Sequence, residues 1–155
     1  MKSVLAAAVL LMTFAAIGPA QANDASVFVG KYTAVYGSCK DFPRVYISMG
    51  PSLPGPKGVM ALHIQSYGRD ARSEEILLGA GKRRVPGTDP RIHGEVTEEW
   101  ATEIRGTSLV YKSRVTRPSI GLDSQTRTIL AMQENVMTIA KEGKEGRVIC
   151  NLVRN

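Results

Sequence analysis

Two cysteines, Cys39 and Cys150, stand near opposite ends of the chain, which contains no others. A disulfide between them would close a loop of roughly 110 residues. It would also bring the two Cβ atoms within about 4 Å of each other. The first and last elements of the fold would then be neighbours. A closed barrel meets this condition, because its last strand pairs with its first.

The first 22 residues have the pattern of an export signal. Lys2 supplies a positive start, residues 4–17 are almost entirely apolar, and Ala20-Gln21-Ala22 has the small residues of a cleavage site. We therefore predict a cleaved signal peptide at residues 1–22 and a single domain at residues 23–155. The domain has no apolar stretch long enough to span a membrane. A periplasmic or secreted protein is expected, and its two cysteines would pair in that oxidising compartment.

The domain has the alternation of strand-forming and turn-forming segments that is typical of an all-β protein. Short runs rich in valine, isoleucine, threonine and tyrosine alternate with clusters of glycine, proline, asparagine and aspartate. Nine candidate strands follow, at residues 27–36, 44–49, 59–67, 73–79, 95–104, 108–115, 127–133, 136–141 and 147–153. With the inferred disulfide, this pattern predicts a single antiparallel up-and-down β-barrel of about 8–9 strands.

One candidate strand, residues 95–104, also fits a helix. Three apolar side chains share a helical face there and also share strand parity, namely Val96, Trp100 and Ile104. The turn-like Arg105-Gly106-Thr107 and the alternating residues 108–115 favour a hairpin, so a strand is predicted with a helix as the alternative. Glu98 would then share the inward face with Trp100. A buried Glu98 needs an arginine partner or stays protonated.

The start of the first candidate strand resembles that of the lipocalins. Lipocalins carry a glycine followed two residues later by a tryptophan, and Phe28-Val29-Gly30-Lys31-Tyr32 has Gly30 and Tyr32 at this spacing. Tyrosine replaces the tryptophan, and the resemblance covers this short segment alone. It implies a calycin-like or lipocalin-like architecture and not membership of the family.

The expected function is non-catalytic binding. The ligand would be a small apolar molecule in the barrel or an envelope macromolecule on its rim. Five residues are candidates to line the interior, namely Phe28, Tyr32, Leu62, Trp100 and Tyr111. The same residues could simply fill a small barrel. The alternative function is inhibition of a hydrolase through the loop Gly50–Gly58, in which six of nine residues are glycine or proline.

The charge pattern suggests a second kind of contact. The chain has a formal net charge of +6, and its one run of three basic residues is Lys82-Arg83-Arg84. These side chains could bind an anionic envelope component, or they could form a solvated turn. The basic residues are not interleaved with aromatic ones along the sequence, so nucleic-acid binding is not expected. The sequence does not indicate an oligomeric state.

Catalytic and metal-binding patterns are absent from the sequence. The two histidines, His63 and His93, have no recognisable catalytic partner, and no serine stands in a Gly-x-Ser-x-Gly motif. No spacing of histidine, cysteine or acidic residues resembles a metal site. We therefore predict a protein that is not an enzyme and has no metal or other cofactor.

Overall fold

The computed structural model describes residues 24–35, 39, 43–53, 57–68, 71–84, 94–144 and 146–155. Within them, ten strands form one antiparallel sheet in the order β4-β3-β2-β1-β10-β9-β8-β7-β6-β5. The strands are β1 (Gly30–Ala34), β2 (Arg44–Pro51), β3 (Met60–Tyr67), β4 (Arg72–Leu77), β5 (Ala80–Arg84), β6 (Thr97–Arg105), β7 (Ser108–Arg117), β8 (Leu122–Gln133), β9 (Val136–Gly143) and β10 (Gly146–Arg154). The predicted all-β antiparallel fold is confirmed. The predicted signal peptide and His93 lie outside the described residues.

The first and last of the described strands are neighbours in the sheet, as the cysteines predicted. β1 pairs with β10, with Tyr32 opposite Arg154 and Ala34 opposite Leu152. Cys39, just after β1, forms a disulfide with Cys150 on β10, and their Cα atoms are 5.2 Å apart. The disulfide therefore reinforces the pairing of the first strand with the last.

The barrel closes through a corner of the chain between β4 and β5. The Leu78 amide donates to the Met60 carbonyl on β3 (2.8 Å), and the Thr102 amide on β6 donates to the Gly79 carbonyl (2.6 Å). The corner, residues 78–79, thus forms hydrogen bonds with β3 and with β6, which lie near opposite edges of the strand order. Beyond it, β4 and β5 have no ladder between them in the described part of the chain. The barrel is therefore nearly closed, with a seam between these two strands.

The apolar core fills the end of the barrel where β1, β7 and β9 begin. The largest fully buried side chains are Phe28, Tyr32, Ile47, Leu62, Leu77, Leu109, Leu130, Met137 and Leu152. A short 3-10 helix, Ser26–Phe28, precedes β1 at this end. The Tyr32 hydroxyl donates to the Phe28 carbonyl (2.7 Å), which ties the helix to the barrel. These side chains fill this end of the barrel, and we call this packed layer the floor.

Three sequence predictions need correction in detail. The first strand begins at Gly30 and not at residue 27, because the chain turns at Ser26–Phe28. The strands number ten, since the segment Ala80–Arg84 is also a strand. The predicted loop Gly50–Gly58 is shorter than expected, because Gly50 and Pro51 still pair with β3. The ambiguous segment is a strand, Thr97–Arg105, and the helical alternative is wrong.

Candidate functional site

A cavity of about 670 Å³ opens at the end of the barrel opposite the packed floor. The register of β9 and β10 gives its position. Met137 and Leu152 pair in the core, whereas Lys141 and Val148 pair near the β9–β10 turn and line the cavity. We call this cavity the cup. Its lining includes hydroxyl groups from two neighbouring strands, namely Ser113, Ser124, Thr126 and Thr128.

The wall of the cup holds a buried ion pair. The Arg83 side chain donates to Glu98 Oε2 from Nη2 (2.8 Å) and Nε (2.9 Å). Tyr111 and Ser113 donate to Glu98 Oε1 at 3.2 and 3.0 Å. The Arg83 and Glu98 side chains are only 17% and 13% exposed. Of the two alternatives predicted for an inward Glu98, an arginine partner or a protonated carboxyl, the structure has the arginine partner, Arg83 on the adjacent strand.

Tyr111 stays protonated in this arrangement. Burial, and then the negative charge of Glu98, raise the pKa of the Tyr111 phenol above its ordinary value. The phenol is therefore a hydrogen-bond donor across the physiological pH range. Because four donors converge on the Glu98 carboxylate, it anchors the wall and is not a free general base.

A second ion pair crosses the cup. Lys141 on β9 contacts Glu74 on β4, and these strands are five places apart in the ten-stranded order. They therefore face each other across the barrel. The two side chains are 42% and 47% exposed. Exposed pairs of this kind stabilise a fold by roughly 0–1 kcal/mol, so a ligand can displace this one at low cost.

The five predicted interior residues are all buried, and all five belong to the apolar core cluster. Tyr111 lines the cup. Phe28, Tyr32, Leu62 and Trp100 are not among the residues that line it. Sequence reasoning missed Glu74, Lys141 and the hydroxyl groups of β8. The sequence held a signal for Lys141, because it shares strand parity with the core residues Met137 and Ile139.

Trp100 packs against the backbone of the neighbouring strand. A Cβ added to Gly81 would lie 2.5 Å from Trp100 Cζ2, so the indole occupies the space that a side chain would need. Gly81 is directly opposite Trp100 in the ladder. The inward position predicted for Trp100 is thus what the structure shows.

The three consecutive basic residues do not act as one surface. They lie on β5, where successive side chains alternate between its two faces. Arg83 is buried against Glu98, whereas Lys82 is 3.0 Å from Glu99 and largely exposed. Arg84 is exposed as well. An anionic partner of this strand would meet Lys82 and Arg84, and Arg83 only if its buried pair were broken.

The described histidine has a carboxylate partner but no serine. His63 Nδ1 is 3.3 Å from Glu75 Oε1, and the Ser52 hydroxyl donates to Glu75 Oε2 (2.9 Å). Glu75 thus separates the two groups, and a serine–histidine relay does not form here. The described residues contain no cluster of three or more potential metal ligands. They also contain no helix long and apolar enough to cross a membrane.

Comparison with known proteins finds solved structures that resemble this chain at low sequence identity. No family model matches the chain, and no curated protein matches it. The solved structure of secretory abundant heat soluble protein 4 from Ramazzottius varieornatus shares 10% identity at a TM-score of 0.44, over 82% of this chain and 94% of that one. The fluorescent protein UnaG shares 11% at a TM-score of 0.47, over 84% and 99%. At these values the likeness gives no information on function.

Proposed function

We propose that this protein binds a small amphipathic molecule in the cup, without catalysis. The observation that carries the proposal is the cavity of about 670 Å³ above a packed floor. Its size falls within the range of about 300–1,000 Å³ that is typical of small-molecule sites. A barrel that merely filled its interior would leave no such space.

The lining of the cup indicates the chemistry of the ligand. Val148 offers apolar surface, since it is among the exposed large hydrophobic residues, and Ile76 and Tyr111 line the cup with little surface accessible. The hydroxyls of β7 and β8 and the Lys141–Glu74 pair offer hydrogen bonds. A ligand with an apolar body and a polar or charged group fits this mixture. It fits better than the purely apolar ligand expected from sequence, because the predicted apolar residues mostly form the floor.

The proposal can be tested with a bulky residue placed inside the cup. Thr126 faces the cup and Gln125, its neighbour on β8, faces outward. Thr126→Trp should weaken binding of the amphipathic dye anilinonaphthalene sulfonate at least about tenfold. Gln125→Trp is the matched control and should leave it unchanged. Equal affinity for both variants would show that the dye binds elsewhere and would contradict the proposal.

Two further expectations from the sequence remain proposals. Export would be shown by a mature chain that begins at Asn23, and a cell-retained chain that still begins at Met1 would exclude it. Inhibition of a hydrolase would depend on the remaining loop after Pro51, in which Leu53 is strongly exposed. Leu53→Asp should abolish such inhibition and leave dye binding in the cup intact.

A further inference from the structure

The outer face of β1–β3 carries a patch that the cup does not use. Four side chains surround a shallow groove of about 310 Å³ there, namely Lys31, Arg44, Tyr46 and Tyr67. Asn155, the last residue of the sequence, lines the same groove. We call these four residues the outer tyrosine patch. It lies on the opposite face of the sheet from the core, because its residues alternate with buried ones such as Val45.

The register of the strands places a cation beside each tyrosine. Lys31 is directly opposite Tyr46, and Arg44 is directly opposite Tyr67. Directly opposite residues of an antiparallel pair have Cβ atoms about 4.5–5.5 Å apart. The patch is therefore two cation–tyrosine pairs, staggered along the strands. No run in the sequence shows this arrangement, since the four residues come from three strands.

Both tyrosine rings are available to a partner. Tyr46 is 37% exposed and Tyr67 is 49% exposed. The Tyr67 hydroxyl donates to Oε1 of Gln65, two residues earlier on the same strand (2.8 Å). This bond joins two outward side chains of β3, and Tyr67 stays accessible to a partner. An exposed tyrosine ring offers apolar surface on which a ring of a partner can stack.

The two cations are also available. Among the described residues, seven lysine or arginine side chains form ion pairs with acidic ones, and neither Lys31 nor Arg44 is one of them. The chain as a whole carries an excess of positive charge. An anionic partner would thus gain two contacts without displacing an internal carboxylate.

We propose that the outer tyrosine patch binds an acidic polysaccharide. Sugar rings of the polymer would stack on Tyr46 and Tyr67, and its carboxylates would pair with Lys31 and Arg44. The amides of Gln65 and Asn155 border the rings and suit the hydroxyl groups of a sugar. The site is independent of the cup and of its ligand.

Two other macromolecules fit the patch less well. Segments that bind a membrane surface insert tryptophan, phenylalanine or leucine side chains into the headgroup layer, and the patch contains none of these. A single-stranded nucleic acid needs a basic groove that follows several phosphates, and the patch supplies two cations. The patch repeats a unit of one tyrosine ring and one cation. A uronic acid polymer repeats the matching unit of one sugar ring and one carboxylate.

Affinity electrophoresis in gels that contain polygalacturonate tests the proposal. The protein should be retarded there and not in gels that contain neutral dextran. The Tyr46→Ala/Tyr67→Ala variant should lose at least about tenfold in affinity, and the Lys31→Gln/Arg44→Gln variant should lose a similar factor. Tyr46→Phe/Tyr67→Phe keeps both rings and should retain binding, which separates a loss of stacking from a loss of fold.

The charge-matched control is Lys57→Gln/Lys112→Gln, which removes two exposed lysines away from the patch. Its affinity should equal that of the parent protein. Retardation that falls equally in this control would reduce the effect to net charge and would overturn the proposal. Patch-dependent binding to oligothymidylate or to phosphatidylglycerol vesicles, without binding to polygalacturonate, would overturn it too.

Discussion

Lys141 and Glu74 form an ion pair between opposite walls of the barrel, at the open end. The pair is 67 residues apart in sequence and brings β9 and β4 into contact across the cup. A ligand that enters the cup must pass this pair or replace it. A change in the charge of this pair should therefore change how readily a charged ligand enters the cup.

Glu74→Gln should free Lys141 and make the mouth more positive. Because the pair is about half exposed, the free energy of unfolding should change by less than about 1 kcal/mol. Association of the anionic dye anilinonaphthalene sulfonate, followed by stopped-flow fluorescence, should become faster. Asp123→Asn is the control, since it removes the exposed Arg114–Asp123 pair from the outer face. Equal rates in the two variants would show that the crossing pair does not affect entry.

Arg83→Ala should be strongly destabilising. It leaves the buried Glu98 carboxylate without its cation, and breaking a buried pair typically costs about 3–5 kcal/mol. Arg84→Ala removes an exposed arginine one residue away and should cost less than about 0.5 kcal/mol. Urea denaturation followed by circular dichroism measures both. Similar losses for the two variants would mean that Arg83 is not the partner on which Glu98 depends.

Gly81→Ala should displace the Trp100 indole. The added Cβ would lie 2.5 Å from Trp100 Cζ2, and overpacking of this kind costs about 1–3 kcal/mol. Since Trp100 is the one tryptophan of the chain, its emission should shift with the loss of stability. Gly143→Ala is the control, because the nearest atom to its added Cβ is 3.8 Å away. An unchanged emission spectrum in Gly81→Ala would argue against this packing.

Stability should fall at alkaline pH in a way that depends on Tyr111. Burial and Glu98 raise the pKa of Tyr111 above the ordinary 10.0, so above about pH 10 the folded protein retains a proton that the unfolded chain has lost. The free energy of unfolding then decreases as the pH rises through that range. Tyr111→Phe has no ionisable phenol at this position, so its free energy of unfolding should decrease less steeply above about pH 10. Parallel curves for the two proteins would contradict the buried position of the phenol.

The barrel could be predicted from the sequence, because it depends on alternation within single strands and on the positions of the two cysteines. Strand parity identified the inward face of Trp100, and the two cysteines predicted the contact of the first and last strands. β5 escaped prediction because its inward residues are Gly81 and Arg83, which do not produce an apolar alternation. The Lys141–Glu74 contact was not predicted, because it depends on how the barrel closes. No short-range sequence pattern carries that information.

It was predictable that an inward Glu98 would either pair with an arginine or stay protonated, but the identity of the arginine was not predictable. The partner follows from the register of β5 and β6, which sets Arg83 opposite Glu98. The cup itself was hidden for a similar reason. Polar inward residues of β8 such as Thr126 look like an outward face until the pairing of β8 with β7 is known.

Native mass spectrometry of the protein isolated from its own cells tests the central claim most directly. If the cup binds a small molecule, the folded protein should retain a defined additional mass that denaturation releases. The additional mass should be absent from Thr126→Trp and present in Gln125→Trp. A bare protein mass in the parent, or a retained molecule that persists in Thr126→Trp, would contradict binding in the cup.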